Sequence, residues 1–307
     1  MVNQRCAGEI RLFKAKRRPP GADGLNSANP YSTGKIIVSA KSKTGGIVIA
    51  LLVAVAIALL VWPAGEDADL MLYCGAGIRP GVEPVIEAFE EEYDVGVRTS
   101  YAGSGTLLGQ ISSHQSGDIY MPGAEHYVDR AIEEGLADGG TKSIVSYFVP
   151  VIFVQAGNPK GIESLEDLWQ RGLRIGLGDP RACAVGKRTL KIFEKNEIPY
   201  SAVEPNVVYQ SGTVNELGVA VKMGSVDAVI MWDANARNFL EHGEIVPIPP
   251  ERNIPSTIPI VRLVSSRHPE RAAEFIEFIT SQRAREMFRE RGYTVTLNED
   301  RERTEKD

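Results

Sequence analysis

Four short loops hold the residues with the most chemical capacity in this chain. They are Cys74-Gly75-Ala76-Gly77, Gly103-Ser104-Gly105-Thr106, the segment 178–186 (GDPRACAVG) and Ser211-Gly212-Thr213-Val214. Each follows a short apolar run, and the last three stand directly before a stretch of helical periodicity. Helix N-termini carry N–H groups without intrahelical partners and a partial positive charge, so they attract anions. Glycine lets the backbone approach a ligand closely, and Ser and Thr add hydroxyl donors. One such turn usually does no more than close a loop. Several converging would make an anion site.

The chemistry these loops suggest is binding, not catalysis. No P-loop, HExxH or nucleophile elbow is present, and His114, His126, His242 and His268 show no metal-ligand spacing. The carboxylates Asp118 and Asp179 fall near the loops, where they would repel an anion, so they are expected to cap turns. Cys74 and Cys183 sit in two different loops. They read as buried thiols, as a disulfide across the site, or as a soft-metal site.

The elements that must position these loops alternate. Strand character appears over 70–74, 95–101, 118–121, 147–155, 173–177, 207–209, 228–232 and 258–264. Helical periodicity falls over 84–93, 107–113, 127–134, 165–169, 187–196, 214–223, 269–280 and 281–291. The opening βαβαβα order predicts an α/β fold with a parallel sheet and helices on its faces, and in such sheets ligands bind beyond the carboxyl ends of the strands.

Charge is distributed unevenly. The chain has 307 residues and a net charge of −6, which argues against nucleic acid as a partner. Residues 1–46 hold nine Lys/Arg and two acids, +7, so the remainder carries −13. Between the two lies an uncharged run, 45–62, about 27 Å long as a helix at ~1.5 Å per residue. That is close to the ~30 Å of a bilayer core. Lys41 and Lys43 precede the run and Glu66, Asp67 and Asp69 follow it. By the positive-inside rule the chain beyond residue 65 is outside the cytoplasm. Residues 46–64 thus read as a signal sequence or a retained transmembrane anchor. Residues 1–45 read as a disordered basic cytoplasmic leader and 297–307 as a disordered charged tail.

Several motifs together resemble one family. Tyr73-Cys74-Gly75-Ala76-Gly77 is similar to the first ligand loop of the periplasmic molybdate-binding proteins, the ModA family, and Tyr101 to Ile111 (YAGSGTLLGQI) resembles the second. Gly176 to Pro180 with Ala184-Val185-Gly186 resembles the third, and Val229 to Ala234 (VIMWDA) the strand that usually ends in a ligand tyrosine. Ala284 to Thr294 resembles the closing helix.

The resemblance implies a type II periplasmic-binding-protein fold of two α/β lobes joined by two crossing strands. Lobe I would span 68–148 plus 250–296 and lobe II 149–249, with 147–154 and 258–264 as the crossings. It implies a tetrahedral oxyanion, molybdate or tungstate, held between the lobes and delivered to an ABC permease and ATPase. The binding protein would be a non-enzyme without a cofactor, at the outer face of the cytoplasmic membrane. Carried over residue by residue, Ser104 donates its hydroxyl and N–H, and Val185 and Val214 donate N–H groups. Gly77 replaces a serine and keeps only its N–H, and Trp232 replaces the tyrosine. Cys74, Gly105, Thr106, Cys183 and Thr213 flank these as further candidates. Donors without acceptors suit a dianion that carries no proton at neutral pH. The alternatives are another ligand (sulfate, phosphate, or a metal ion through Cys74 and Cys183) and a membrane-tethered sensory module.

Overall fold

The computed structural model describes residues 69–297. The leader 1–45, the apolar segment 46–64 and residues 298–307 of the tail lie outside the described residues. Among the described residues, no helix is long and apolar enough to cross a membrane.

Two five-stranded sheets organise the chain. The first has the order β2-β1-β3-β10-β4, from β1 (Leu70–Gly75), β2 (Val97–Ala102), β3 (Ile119–Met121), β4 (Ser143–Phe148) and β10 (Ser256–Arg262). The second has the order β7-β6-β8-β5-β9, from β5 (Pro150–Gln155), β6 (Ile175–Gly178), β7 (Val207–Ser211), β8 (Ala228–Trp232) and β9 (Gly243–Pro247). The helices around the first sheet are α1 (Arg79–Tyr93), α2 (Ser104–His114) and α3 (Glu125–Glu133). Those around the second are α4 (Ala184–Lys195), α5 (Tyr200–Val203), α6 (Val214–Lys222) and α7 (Asp233–Ala236), and α8 (Pro269–Ile279) and α9 (Gln282–Glu290) return to the first. We call these two layered halves lobe I and lobe II.

The central strands are apolar because both of their faces are covered. All five residues of β8 (AVIMW) are buried, as are the first five of β5 (PVIFVQ). The helices bury one stripe instead. In α1, Val82, Val85, Ile86 and Phe89 recur at the helical spacing and are buried. Phe89 meets the rings of Phe275 and Phe278 edge-on, at 5.0 and 5.5 Å. Full burial of such a side chain is worth roughly 1.5–3 kcal/mol.

The sheets are mixed, which corrects the expectation of a parallel sheet. β1 is parallel to β2 and β3, but β10 runs antiparallel to β3 and β4. In lobe II, β6 is parallel to β7 and β8, whereas β5 is antiparallel to β8 and β9. The antiparallel members flank the crossings, where the chain enters and leaves a lobe. The apolar run 147–155, read as one strand, is likewise two. It breaks at Val149, whose N–H donates to Asp233 Oδ1 at 3.1 Å and whose carbonyl accepts from the Asp233 N–H at 2.8 Å. The return crossing lies against it, with Asn253 Nδ2 donating to the Pro150 carbonyl at 2.8 Å.

Helix α1 begins five residues before its predicted start. Pro80 occupies its first turn, where a missing N–H costs nothing, and a 3-10 turn (Ala76–Ile78) leads straight into it. Residues 165–169, predicted as a helix, form a 3-10 turn over Glu166–Trp169. In β10 the register shifts at Pro259, which has no N–H for the ladder.

Candidate functional site

The four loops singled out above converge between the lobes. From lobe I come the 3-10 turn at Ala76–Ile78 and the start of α2 at Ser104. From lobe II come the starts of α4 and α6. Together they enclose a cavity of about 20 Å3, room for about one water. Its wall includes Gly77, Gly103 and Ser104 on one side and Cys183, Ala184, Thr213 and Val214 on the other. Gly123 and Phe148 also belong to lobe I's part of the wall, and Trp232 completes lobe II's. No charged side chain lines it among the described residues.

Backbone packs against backbone where the lobes meet. The Gly105 N–H donates to the Ala182 carbonyl at 2.9 Å. A Cβ on Gly103 would stand 2.3 Å from the Gly212 carbonyl oxygen, and one on Gly105 2.0 Å from that of Arg181. A Cβ on Gly77 would meet Val214 Cγ1 at 2.7 Å and Asn235 Oδ1 at 2.9 Å. Such approaches are open only to glycine. Two asparagines of lobe II hold the first loop. Asn215 Nδ2 donates to the Ala76 carbonyl (3.2 Å) and Asn235 Nδ2 to that of Gly77 (2.9 Å). The Gly77 carbonyl also accepts from the Tyr293 hydroxyl at 2.7 Å.

Ser104 is buried, and its Oγ accepts the Gly123 N–H at 3.0 Å. Its carbonyl accepts from the Tyr120 hydroxyl at 2.7 Å, which fixes the start of α2. Trp232, at the end of β8, lies flat on Phe148 with centroids 4.8 Å apart and planes 4° apart. A lobe II side chain is thus stacked on a lobe I side chain at the cavity floor.

Not every predicted residue reaches the wall. Gly77, Ser104, Val214, Trp232, Cys183 and Thr213 do. Gly105 has its N–H committed to Ala182, and Thr106 is exposed on α2. Val185 is fully buried behind the wall, one residue into α4. Cys74 lies in the core of lobe I with its Sγ 3.7 Å from the Gly75 carbonyl oxygen.

Cys74 and Cys183 are both unpaired thiols. Burial pushes the Cys183 thiol up to about 11, although the Gly186 and Val185 N–H groups act the other way, and burial raises Cys74 further still. Protonated thiols are poor metal ligands. No group of three or more His, Cys, Asp or Glu able to hold a metal ion occurs among the described residues. Neither Asp118 nor Asp179 lines the cavity. Asp179 accepts from the Arg181 N–H (2.9 Å), and Asp118 from the Met71 N–H (2.8 Å) and the Ser266 hydroxyl (2.7 Å).

Sequence reasoning missed Gly123, Asn215 and Asn235. Gly123 lies beyond the carboxyl end of β3, a strand the sequence did mark, but its loop, Pro122-Gly123-Ala124, has no hydroxyl residue to single it out. Nothing local marks the two asparagines, because their partners are 139 and 158 residues away.

Comparison with known proteins agrees with this geometry. A family model described as bacterial extracellular solute-binding protein matches residues 70–294. A Haemophilus influenzae protein named only as a binding protein is 31% identical over 245 residues, which is 79% of this chain and 97% of its own. The molybdate-binding protein ModA of Mycobacterium tuberculosis is 23% identical over 235 residues, 75% of this chain and 87% of its own. The fold is also that of the sulfate-binding protein SubI of M. tuberculosis. That structure superposes with a TM-score of 0.67 at 21% identity, covering 75% of this chain and 88% of its own.

Proposed function

Because the chain belongs to the bacterial extracellular solute-binding proteins, we propose that it captures a tetrahedral dianion, molybdate or tungstate, between its lobes. Outside the cytoplasmic membrane, to which residues 46–64 direct or tether it, it delivers the anion to an ABC permease coupled to an ATPase. The observation that carries this reading is the chemistry of the wall. Several helix N-termini face one small cavity that has no carboxylate to repel an anion and no cation to bind one indiscriminately.

In this reading Ser104 donates its hydroxyl, and Gly77, Ala184 and Val214 donate N–H groups. The Val185 N–H lies behind the wall beside the Cys183 thiol and does not reach the anion in this reading, while Thr213 and Trp232 bound it. Several hydrogen bonds then share the charge, each worth about 1.5–3 kcal/mol. A wall of donors favours an anion without a proton over hydrogen phosphate, which needs an acceptor for its own O–H. With room for about one water, the cavity widens for any oxyanion, so the lobes part slightly around it. The likeness to a molybdate-binding relative supports the choice of anion.

Sulfate is the second reading. It has the same charge and shape and is smaller, which the narrow cavity and the fold shared with a sulfate-binding protein favour. A thermal-shift screen of the full-length chain against molybdate, tungstate, sulfate, phosphate, Zn2+ and Cu+ separates the readings, since a ligand of the native state raises apparent stability. Molybdate and tungstate are expected to raise the melting temperature. A rise with sulfate alone selects the second reading, and a rise with the metals alone rejects both.

A further inference from the structure

One buried charge has no part in the reading above. Arg188 lies on α4, five residues beyond Cys183, and only 5% of it is exposed. Its Nη2 donates to both carboxylate oxygens of Glu125, at 2.9 and 3.0 Å, and to Ser256 Oγ at 2.8 Å. Glu125 opens α3 and Ser256 opens β10, so this lobe II side chain is held by two elements of lobe I. Desolvation offsets much of the attraction within such a pair, so net stability is a poor reason for it.

The bonds continue toward the cavity. Ser256 Oγ, which accepts from Arg188, donates to the Gly123 carbonyl at 3.0 Å, while its other acceptors, Glu125 Oε2 and the Thr257 carbonyl, stand at 3.5 Å. The Gly123 N–H donates to Ser104 Oγ at 3.0 Å. A hydroxyl has a single proton. The Ser104 oxygen is occupied as an acceptor on the Gly123 side, so its proton is directed elsewhere, and Ser104 and Gly123 both line the cavity.

We infer that Arg188 is a positioning residue for the anion. When the lobes shut, it fixes the direction of every donor along Ser256, Gly123 and Ser104, so that Ser104 presents its proton to the cleft. This rests on the reading of the cleft as an oxyanion site. The relay is complete only when α4 of lobe II stands against α3 and β10 of lobe I, so closure and the aiming of Ser104 are one event. The Gly123 carbonyl and N–H belong to successive peptide units, so the relay acts by fixing the position of the Gly123 backbone.

The test is a cycle on the full-length chain, with molybdate and sulfate affinities measured for Ser256→Ala, Ser104→Ala and the double variant. Ser256→Ala keeps the Arg188–Glu125 pair and cuts only the relay. It is expected to weaken binding several-fold, and Ser104→Ala roughly tenfold or more. The double variant is expected to match Ser104→Ala, because the relay acts only through that hydroxyl. Arg188→Met, with its ligand-free melting temperature recorded, is expected to lose at least as much affinity as Ser256→Ala. Losses that multiply in the double variant, or unchanged affinity in Ser256→Ala, overturn the inference and leave the oxyanion reading standing. A wild-type chain that binds neither anion overturns both.

Discussion

The N–H of Gly105 in lobe I donates to the carbonyl of Ala182 in lobe II at 2.9 Å, beside the point where a Gly105 Cβ would stand 2.0 Å from the Arg181 carbonyl oxygen. Closure therefore brings main chain directly onto main chain. The glycines of the second loop are there for the shut state, not for the fold of lobe I.

Gly105→Ala should separate these two demands. Alanine at the second position of α2 favours the isolated helix by up to about 1 kcal/mol, but its methyl blocks the approach of Arg181. The ligand-free melting temperature should hold or rise while molybdate affinity falls at least tenfold. Equal affinity in the variant would show that the lobes need not approach this closely.

Ser104→Ala removes a donor from the cavity and leaves the buried Gly123 N–H without its partner. An unpaired buried donor costs about 1–3 kcal/mol, and the lost bond to a charged ligand about 1.5–3 kcal/mol. Denaturant unfolding should report the first loss without ligand, and calorimetry should report the second as a roughly 10- to 150-fold weaker affinity.

Trp232→Ala removes the ring stacked on Phe148 and should cost about 3–5 kcal/mol by cavity creation. Because Phe148 also touches Tyr293 (5.6 Å), whose hydroxyl holds the Gly77 carbonyl, the damage should reach the first loop. Urea unfolding gives the stability loss. Trp232→Phe, which keeps an aromatic face there, should recover part of both stability and affinity.

Two groups oppose each other in the acid range. His126, on α3 against Lys187, Arg188 and Lys191 of α4 and beside Glu125, is pushed down to about 4 from 6.5, by burial first and Lys187 next. The unfolded chain then binds more protons, so the stability tied to neutral His126 is lost as pH falls from about 6.5 to about 4. Asp233 is raised from 3.8 to about 6 by burial. Its contribution is full below about 3.8 and is lost as pH rises through about 6. Melting temperatures of His126→Gln should therefore fall less than wild type between pH 6.5 and 4. Those of Asp233→Asn should fall less than wild type as pH rises from 4 to 6.

The loops of the site were legible because glycine and hydroxyl residues at strand ends are a local signal. Which of their residues reach the cavity was less so. A helix turns by about 100° per residue, so Ser104 faces the cleft while Thr106, two positions on, is exposed. The alternation of strands and helices gave the α/β class. The antiparallel members stayed hidden because β4 and β10 pair across more than a hundred residues, and no local pattern records that register. The same holds for the contacts of Arg188 with Glu125 and Ser256, 63 and 68 residues away.

Calorimetric titration of the full-length chain with molybdate, beside sulfate and phosphate at one pH and ionic strength, bears most directly on a donor-lined cleft that shuts over a tetrahedral dianion. Saturable binding of one molybdate per chain, with phosphate far weaker, is the expected result. Phosphate binding as tight as molybdate, or no heat with any of the three anions, would contradict the account.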